Sequence, residues 1–260
     1  MVELLAQGAD GAPAIGAPDC PAMSYAALRN LAVDVVATLN GIGVGRGDRV
    51  AIVLPNGPEM AAAFVSVAAG AVTAPLNPAY RADEFDFYLD DLGAKALIVA
   101  QGDDGAAREV AERRGIEILE LVPDGGGPAG GFSLAGIAGE LGGHRASGFA
   151  GADDLAMILH TSGTTSRPKM VPLSQANICA SATHIARTLA LTADDRCLNI
   201  MPLFHIHGLI AAVLASLAAG AAVHCTPGFN ALRFFQWLDA VEPTWYTAVP
   251  TMHQAVLARA

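Results

Sequence analysis

The sequence predicts an α/β fold of mainly parallel sheets flanked by helices. Three observations predict it. Short apolar runs of strand length alternate with segments of helical period. The runs, such as Arg49 to Leu54 and Lys95 to Ala100, do not alternate apolar with polar residues, so they read as strands buried on both faces. Glycine and proline clusters punctuate the boundaries between them.

The elements follow in order. Ser24 caps a first helix, with Leu28, Leu31, Val35, Val36 and Leu39 at helical spacing and Gly41 and Gly43 ending it. Gly45 to Asp48 turn into the strand Arg49 to Leu54. A helix over Glu59 to Ala69 and a short strand Ala71 to Pro75 come next. Arg81 to Leu92 is a helix with Phe85, Tyr88, Leu89 and Leu92 on one face. Then come the strand Lys95 to Ala100, the helix Asp104 to Arg114 and the strand Ile116 to Leu121. Residues 123–151 shift in composition to glycine and small residues and read as a mobile surface excursion. They divide the chain into a first α/β subdomain (1–122), a Gly-rich connection (123–151) and a second α/β subdomain (152–260). In the second, Asp154 to His160 is a strand, and Ser174 caps a helix over Gln175 to Leu191 with Ile178, Ile185 and Leu189 inward. Cys197 to Met201 is extended. Gly208 to Ala219 is a buried helix and Ala221 to Thr226 a strand. Asn230 caps a helix to Val241, Pro243 to Val249 is a strand, and Pro250 opens a last helix.

Composition narrows the functional classes. Of 260 residues, 53% are hydrophobic and 15% charged. That is below the usual quarter of charged residues, so the chain has a large interior or a surface covered by something else. The net charge of −10 argues against nucleic acid as the main partner. The four cysteines, Cys20, Cys179, Cys197 and Cys225, are scattered with no metal-ligand spacing and fit a reducing, cytoplasmic compartment. The longest uncharged apolar run, Gly208 to Val223, is short of the ~18–20 residues that span a bilayer, so no integral membrane association is expected.

The stretch His160 to Asn177 carries the strongest chemical signal. It reads as strand, hydroxyl-rich loop, helix. Thr161, Ser162, Thr164, Thr165 and Ser166 offer hydroxyl donors, and Gly163 lets the backbone approach an anion. Arg167 and Lys169 add positive charge. Such a loop suits phosphate, although composition alone equally allows a solvated surface loop. It is not a Walker A motif, because Lys169 is followed by Met170 and the G-K-[ST] ending is missing, which disfavours a P-loop kinase. A second signal is Pro202 to Gly208, PLFHIHG. A metal pair of His205 and His207 finds no third local ligand. A pair of ordinary hydrogen-bonded histidines stays open.

The order TSGTTSRPK resembles the phosphate-binding signature TSGTTGxPKGV of the adenylate-forming enzymes, the AMP-dependent acyl-CoA synthetase and ligase family. It departs at Ser166 and Met170, where glycine is typical. Ser166 resembles the oxalyl-CoA synthetase-like branch. If position 170 needed a positive φ, Met170 would strain the loop. Pro202, Phe204, His205 and Gly208 match the family's P-x-F-H-x-x-G, and the stretch from Arg46 to Phe85 resembles its N-terminal region element for element. The fold implied is thus a truncated acyl-CoA synthetase-like N-terminal region.

The resemblance implies that Thr161, Ser162, Gly163, Thr164, Thr165, Ser166 and Lys169 bind nucleotide phosphates and that His205 orients the acid. His160 either lines the nucleotide site or packs at a strand end. The implied activity joins a carboxylic acid to coenzyme A through an acyl adenylate, with ATP and Mg2+. The family's Y-G-x-T-E and T-G-D motifs and its lid lysine are not in this sequence. The chain is therefore expected to be an N-terminal fragment, inactive alone, whose partner is the missing C-terminal half. The alternatives are a non-catalytic nucleotide- or acyl-binding module and the adenylation part of another adenylate-forming enzyme. The first would bind ATP or pyrophosphate and turn over nothing.

Overall fold

A computed structural model describes residues 1–136, 147–161 and 168–260. The first elements are α1 (Val2–Leu5), β1 (Pro13–Ala17), β2 (Cys20–Ser24), α2 (Tyr25–Gly41), β3 (Arg49–Val53) and α3 (Pro58–Ala68). Then follow β4 (Val72–Pro75), α4 (Ala82–Leu92), β5 (Ala96–Ala100), α5 (Ala106–Arg114), β6 (Glu117–Pro123) and β7 (Phe132–Ala135). The remainder holds β8 (Leu155–Thr161), β9 (Lys169–Ser174), α6 (Gln175–Thr188) and β10 (Arg196–Asn199). A π-helix (His207–Leu214), α7 (Ala215–Ala218), β11 (Ala222–Cys225), α8 (Phe234–Val241), β12 (Trp245–Thr247) and α9 (Pro250–Leu257) complete it.

The described strands form two sheets. One runs β7-β6-β5-β3-β4-β8-β9 and the other β12-β10-β11-β1-β2. Pairing is parallel from β6 through β8 and from β12 through β1, with β7, β9 and β2 as antiparallel edges. The mainly parallel α/β architecture expected from the alternation is the one found. Each sheet draws strands from both sides of residues 123–151, so the two sheets do not coincide with the two expected subdomains. The first part of that segment is structured: β7 pairs with β6 and buries Phe132.

The helix α3 shows why the sheets stack. Every residue from Met60 to Ala68 is buried. A helix apolar all round must be enclosed, and α3 touches β3 and β4 of one sheet and β1 and β11 of the other. Its many alanines let the backbones approach closely. The helix α2 lies beside it and presents Leu28, Val35, Val36 and Leu39 to the same core. The Ser24 Oγ accepts the Ala27 amide at 3.2 Å and starts that helix. On the far side of the first sheet, α4 and α5 cover Ala51, Val53, Leu97 and Val99 with Phe85, Leu89 and Val110. On the far side of the second, α8 and α9 cover Leu198 with Phe234, Trp237 and Val256. The layers therefore read helix, sheet, helix, sheet, helix. Among the described residues no helix is long and apolar enough to cross a membrane.

Three local expectations change. Asn230, expected to cap the helix to Val241, accepts the Leu232 and Arg233 amides in a turn before it, and α8 starts at Phe234 behind Arg233. Leu189, expected inward, is 52% exposed, because α6 ends at Thr188 and Ala190 turns left-handed at φ 53°. The expected helix from Gly208 begins one residue earlier and is a π-helix before it becomes α7. Its apolar run satisfies either winding, so periodicity does not separate them.

The Tyr25 hydroxyl, at the start of α2, donates to the Ala221 carbonyl oxygen at 2.8 Å and lies 3.4 Å from that of Leu217. His224 on β11 lies against Gly16 of β1, so tightly that a Cβ on Gly16 would meet the ring at 2.5 Å. Its Nδ1 is buried without a hydrogen-bond partner. Burial, with a smaller push from Arg196, lowers its pKa to about 4. The folded state thus resists a proton that the unfolded chain takes near pH 6.5. His224 contributes stability above about pH 6.5 that is lost as the pH falls through about 4. Denaturant unfolding of His224→Leu at pH 7 and pH 4.5 is expected to show a smaller acid loss than the parent; an equal loss excludes the assignment.

Candidate active site

The hairpin of β8 and β9 sets one half of the site. Its pairing runs from Leu155 and Ser174 to Thr161 and Lys169. Because β8 is parallel to β4, Thr161 and Lys169 stand at the carboxyl end of the parallel sheet. Ligands in open α/β sheets bind at that end. Both residues are exposed, and the Thr161 Oγ1 donates to the Lys169 carbonyl oxygen at 3.4 Å. The stretch expected to run from loop straight into helix instead forms β9 first. Ser174 then caps α6 in a capping box, its Oγ accepting the Asn177 amide while the Asn177 Oδ1 accepts its own. Ser162, Gly163, Thr164, Thr165, Ser166 and Arg167 lie outside the described residues.

Met170 does not strain the hairpin. It pairs opposite His160, and the described non-glycine residues at positive φ are Ala190 and Glu242. An extended residue needs no glycine. His160 is a packing residue here. Its side chain is 5% exposed, its Nε2 lies 2.9 Å from the Asp91 carboxylate, and its ring meets Tyr88 edge-on at 4.7 Å. These contacts clamp the end of β8 onto α4.

The other half is the loop that follows β10, at the carboxyl end of the second sheet. Side chains from three places hold it. The buried Asn199 Oδ1 accepts the Met201 amide at 3.0 Å. The Asn56 Oδ1, from the turn between β3 and α3, accepts the Leu203 amide at 2.9 Å. His207 Nε2 meets the Thr247 Oγ1 on β12 at 2.7 Å. Gly208 passes directly under this loop, where a Cβ would fall 2.4 Å from the Pro202 carbonyl oxygen. His205 thus projects from a braced loop, with its ring 4.5 Å from that of Phe204. It is exposed, yet the protein behind it desolvates the ring and holds its pKa below the ordinary histidine value. A neutral imidazole can accept or donate a hydrogen bond. The structure brings Thr161 and Lys169 into register on one sheet and places His205 on the other. Asn56 and Thr247 gave no local sequence signal, since their partners lie 147 and 40 residues away.

A groove of about 760 Å3 is not part of this arrangement. It is lined by α1, α6 and residues 149–152, which flank the Leu155–Ser174 end of the hairpin. A smaller pocket of about 230 Å3 adjoins the His205 loop through Asn56, with Glu59, Arg233 and Trp237 on its walls. Among the described residues no cluster of His, Cys, Asp or Glu could hold a metal ion.

Known proteins share this layout. The sequence profile of the family described as "AMP-binding enzyme" matches residues 5–260. An oxalate–CoA ligase of Arabidopsis thaliana is 40% identical over 247 residues, covering 91% of this chain and 47% of that protein. An oxalate–CoA ligase of Saccharomyces cerevisiae is 36% identical over 236 residues, covering 82% of this chain and 43% of that protein. The crystal structure of ATP-bound MatB from Rhodopseudomonas palustris superposes with a TM-score of 0.81 at 28% identity, covering 98% of this chain and 50% of that one. The chain spans about half the length of the relatives it matches. On its fold, its signature motifs and this match, the chain belongs to the family of AMP-binding, adenylate-forming enzymes and carries their N-terminal region.

Proposed function

We propose that this chain is the phosphate- and carboxylate-handling part of an AMP-forming acid–thiol ligase, an acyl-CoA synthetase. The observation that carries the proposal is the hairpin register. Pairing of Thr161 with Lys169 closes the hydroxyl-rich connection at the carboxyl end of a parallel sheet, where phosphate binding is expected. ATP supplies an α-phosphorus that a carboxylate oxygen attacks with loss of pyrophosphate, and a coenzyme A thiol then displaces AMP.

The chain's own residues bind and orient. Thr161, Ser162, Gly163, Thr164, Thr165 and Ser166 supply hydroxyl and backbone donors to the phosphates, and Lys169 neutralises their charge. Held on its braced loop, His205 directs the acid's carboxylate through a hydrogen bond. The charge neutralisation assigned to this chain rests on Lys169 and the loop donors. We propose a short acid of the oxalate type, as the relatives' names and the TSGTTSRPK variant both favour it.

The test is ATP–pyrophosphate exchange by an enzyme carrying this chain as its N-terminal part, offered oxalate, malonate, benzoate and a fatty acid. Oxalate is expected to support the fastest exchange. Lys169→Ala is expected to lower kcat/KM about 10²–10³-fold, the cost typical of removing one charge-stabilising donor. Exchange that Lys169→Ala and the pair Thr164→Ala/Thr165→Ala leave unchanged would reject the phosphate assignment. Binding of ATP with no exchange on any acid would favour a non-catalytic module instead.

A further inference from the structure

The proposed site is split between two sheets. The hairpin ending at Thr161 and Lys169 belongs to the first, and the loop carrying His205 belongs to the second. Two of the loop's three side-chain anchors, Asn199 and Thr247, sit on strands of the second sheet itself. They fix the loop to its own sheet and do nothing to set it relative to the hairpin. Asn56 differs. It lies in the turn leaving β3, a central strand of the first sheet, at the same carboxyl edge as the hairpin.

The Asn56 side chain faces two loops of the second sheet. Its Oδ1 takes the Leu203 amide at 2.9 Å, and its Nδ2 lies 3.5 Å from where a Cβ on Gly228 would be, just beyond β11. Leu203 is itself only 1% exposed, so both its side chain and its amide are fixed two residues before His205. From there the chain has little freedom. The His205 amide donates to the Pro202 carbonyl oxygen at 3.4 Å, and its carbonyl oxygen accepts the Leu209 amide at 3.1 Å. A displacement at Leu203 is therefore passed on to His205.

We infer that Asn56 is a positioning residue that sets the His205 loop in register with the sheet carrying the Thr161–Lys169 hairpin. The inference rests on the reading of His205 and the hairpin as parts of one site. An asparagine suits the role because its short side chain has few rotamers and presents an acceptor to a backbone amide. The adjoining pocket of about 230 Å3, lined by Asn56 itself, leaves the residue within reach of whatever binds beside the loop.

Three variants of the 260-residue chain test it: Asn56→Ala, Asn56→Asp, which keeps an acceptor oxygen, and His205→Ala. Hydrogen exchange at the Leu203 amide is expected to quicken by about tenfold or more in Asn56→Ala, one hydrogen bond's worth, while Leu198 and Val223 in the strands keep their protection. The His205 ring, followed by NMR titration, is expected to rise toward the pKa of a free histidine in Asn56→Ala, while Asn56→Asp, whose added charge also raises an imidazole, is read only through the Leu203 amide, which it is expected to protect again. The Leu203 rate reports the lost hydrogen bond itself; a purely structural loss that leaves His205 in place would not move the His205 titration.

In the enzyme carrying this chain, Asn56→Ala is expected to raise KM for the acid about tenfold, with KM for ATP little changed. An unaltered Leu203 exchange rate and His205 titration in folded Asn56→Ala would overturn the inference. So would a Leu203 amide in the parent that exchanges as fast as exposed loop amides, a measurement that needs no variant to fold. If His205→Ala leaves ATP–pyrophosphate exchange intact, the reading of His205 fails; the exchange and titration data still decide whether Asn56 positions the loop.

Discussion

Tyr25→Ala is expected to destabilise the chain by about 3–5 kcal/mol, the usual range for deleting a buried aromatic ring. Tyr25 is fully buried and belongs to α2, yet its hydroxyl donates to a carbonyl oxygen just before β11. Gly8 closes the slot from the other side, where a Cβ would fall 2.3 Å from the ring. The ring thus ties α2 to the second sheet. Tyr25→Phe keeps the ring and strands the Ala221 oxygen, a loss of about 1–3 kcal/mol. Burial also holds the phenol's pKa well above its ordinary value of about 10. The sign follows: this contribution is complete below pH 10 and lost as the pH rises above it. Denaturant unfolding at pH 7 and pH 10.5 measures both effects. A loss under about 1 kcal/mol for Tyr25→Ala, well outside the range for buried rings, would refute the assignment.

Gly208→Ala is expected to cost about 1–3 kcal/mol or more, as forced overpacking does. A helix position would ordinarily gain up to about 1 kcal/mol from the same change, so the sign itself is diagnostic. Gly208 is not at positive φ. The conflict is one of space: a Cβ would meet the Pro202 carbonyl oxygen at 2.4 Å and its carbon at 3.1 Å. Backbone cannot swing aside as a side-chain tip can. The Pro202 oxygen also accepts the His205 amide, so displacing it disturbs the loop that presents His205. Gly41→Ala, at the end of α2 with nothing within 4 Å, is the control and is expected to be neutral or stabilising. Equal stability of Gly208→Ala and the parent in urea unfolding would show that the loop yields.

What the sequence revealed depended on whether the signal was local. The parallel core strands β3, β4, β5 and β8 were legible because each is a compact apolar run between turn residues. The helices α2 and α6 were legible from Ser24 and Ser174, whose caps are written in adjacent residues. The antiparallel strands β2, β7 and β9, and β1 beside β2, were not. Pro172 sits inside β9 and argues against a central strand, yet an edge strand tolerates it. The strand β7 lies beyond a Gly-rich turn, and β1 and β2 are short, small-residue segments with no clear period. The chemistry divides the same way. Thr161, Lys169 and His205 stood out from their immediate neighbours. Asn56 and Thr247 act only through partners far along the chain, so no window of sequence displayed them. Gly208 was legible as a motif position but not as a spatial necessity, because its neighbour Pro202 reaches it only once the loop has turned back.

The pairing of Ile15 with Val223 has a consequence for how the protein is made. A ribosome releases β1 and β2 early, but the strand that β1 must lie against emerges about 200 residues later, some 10–40 s at ordinary elongation rates of roughly 5–20 residues per second. Through that interval β1 offers an unsatisfied edge to any other nascent chain on the same polysome. The first sheet, whose strands from β3 to β6 are close in sequence, can close in the meantime and cover one face of α3. Nascent chains halted before Ala222 should therefore be clients of holding chaperones, and chains released after Thr247 should not.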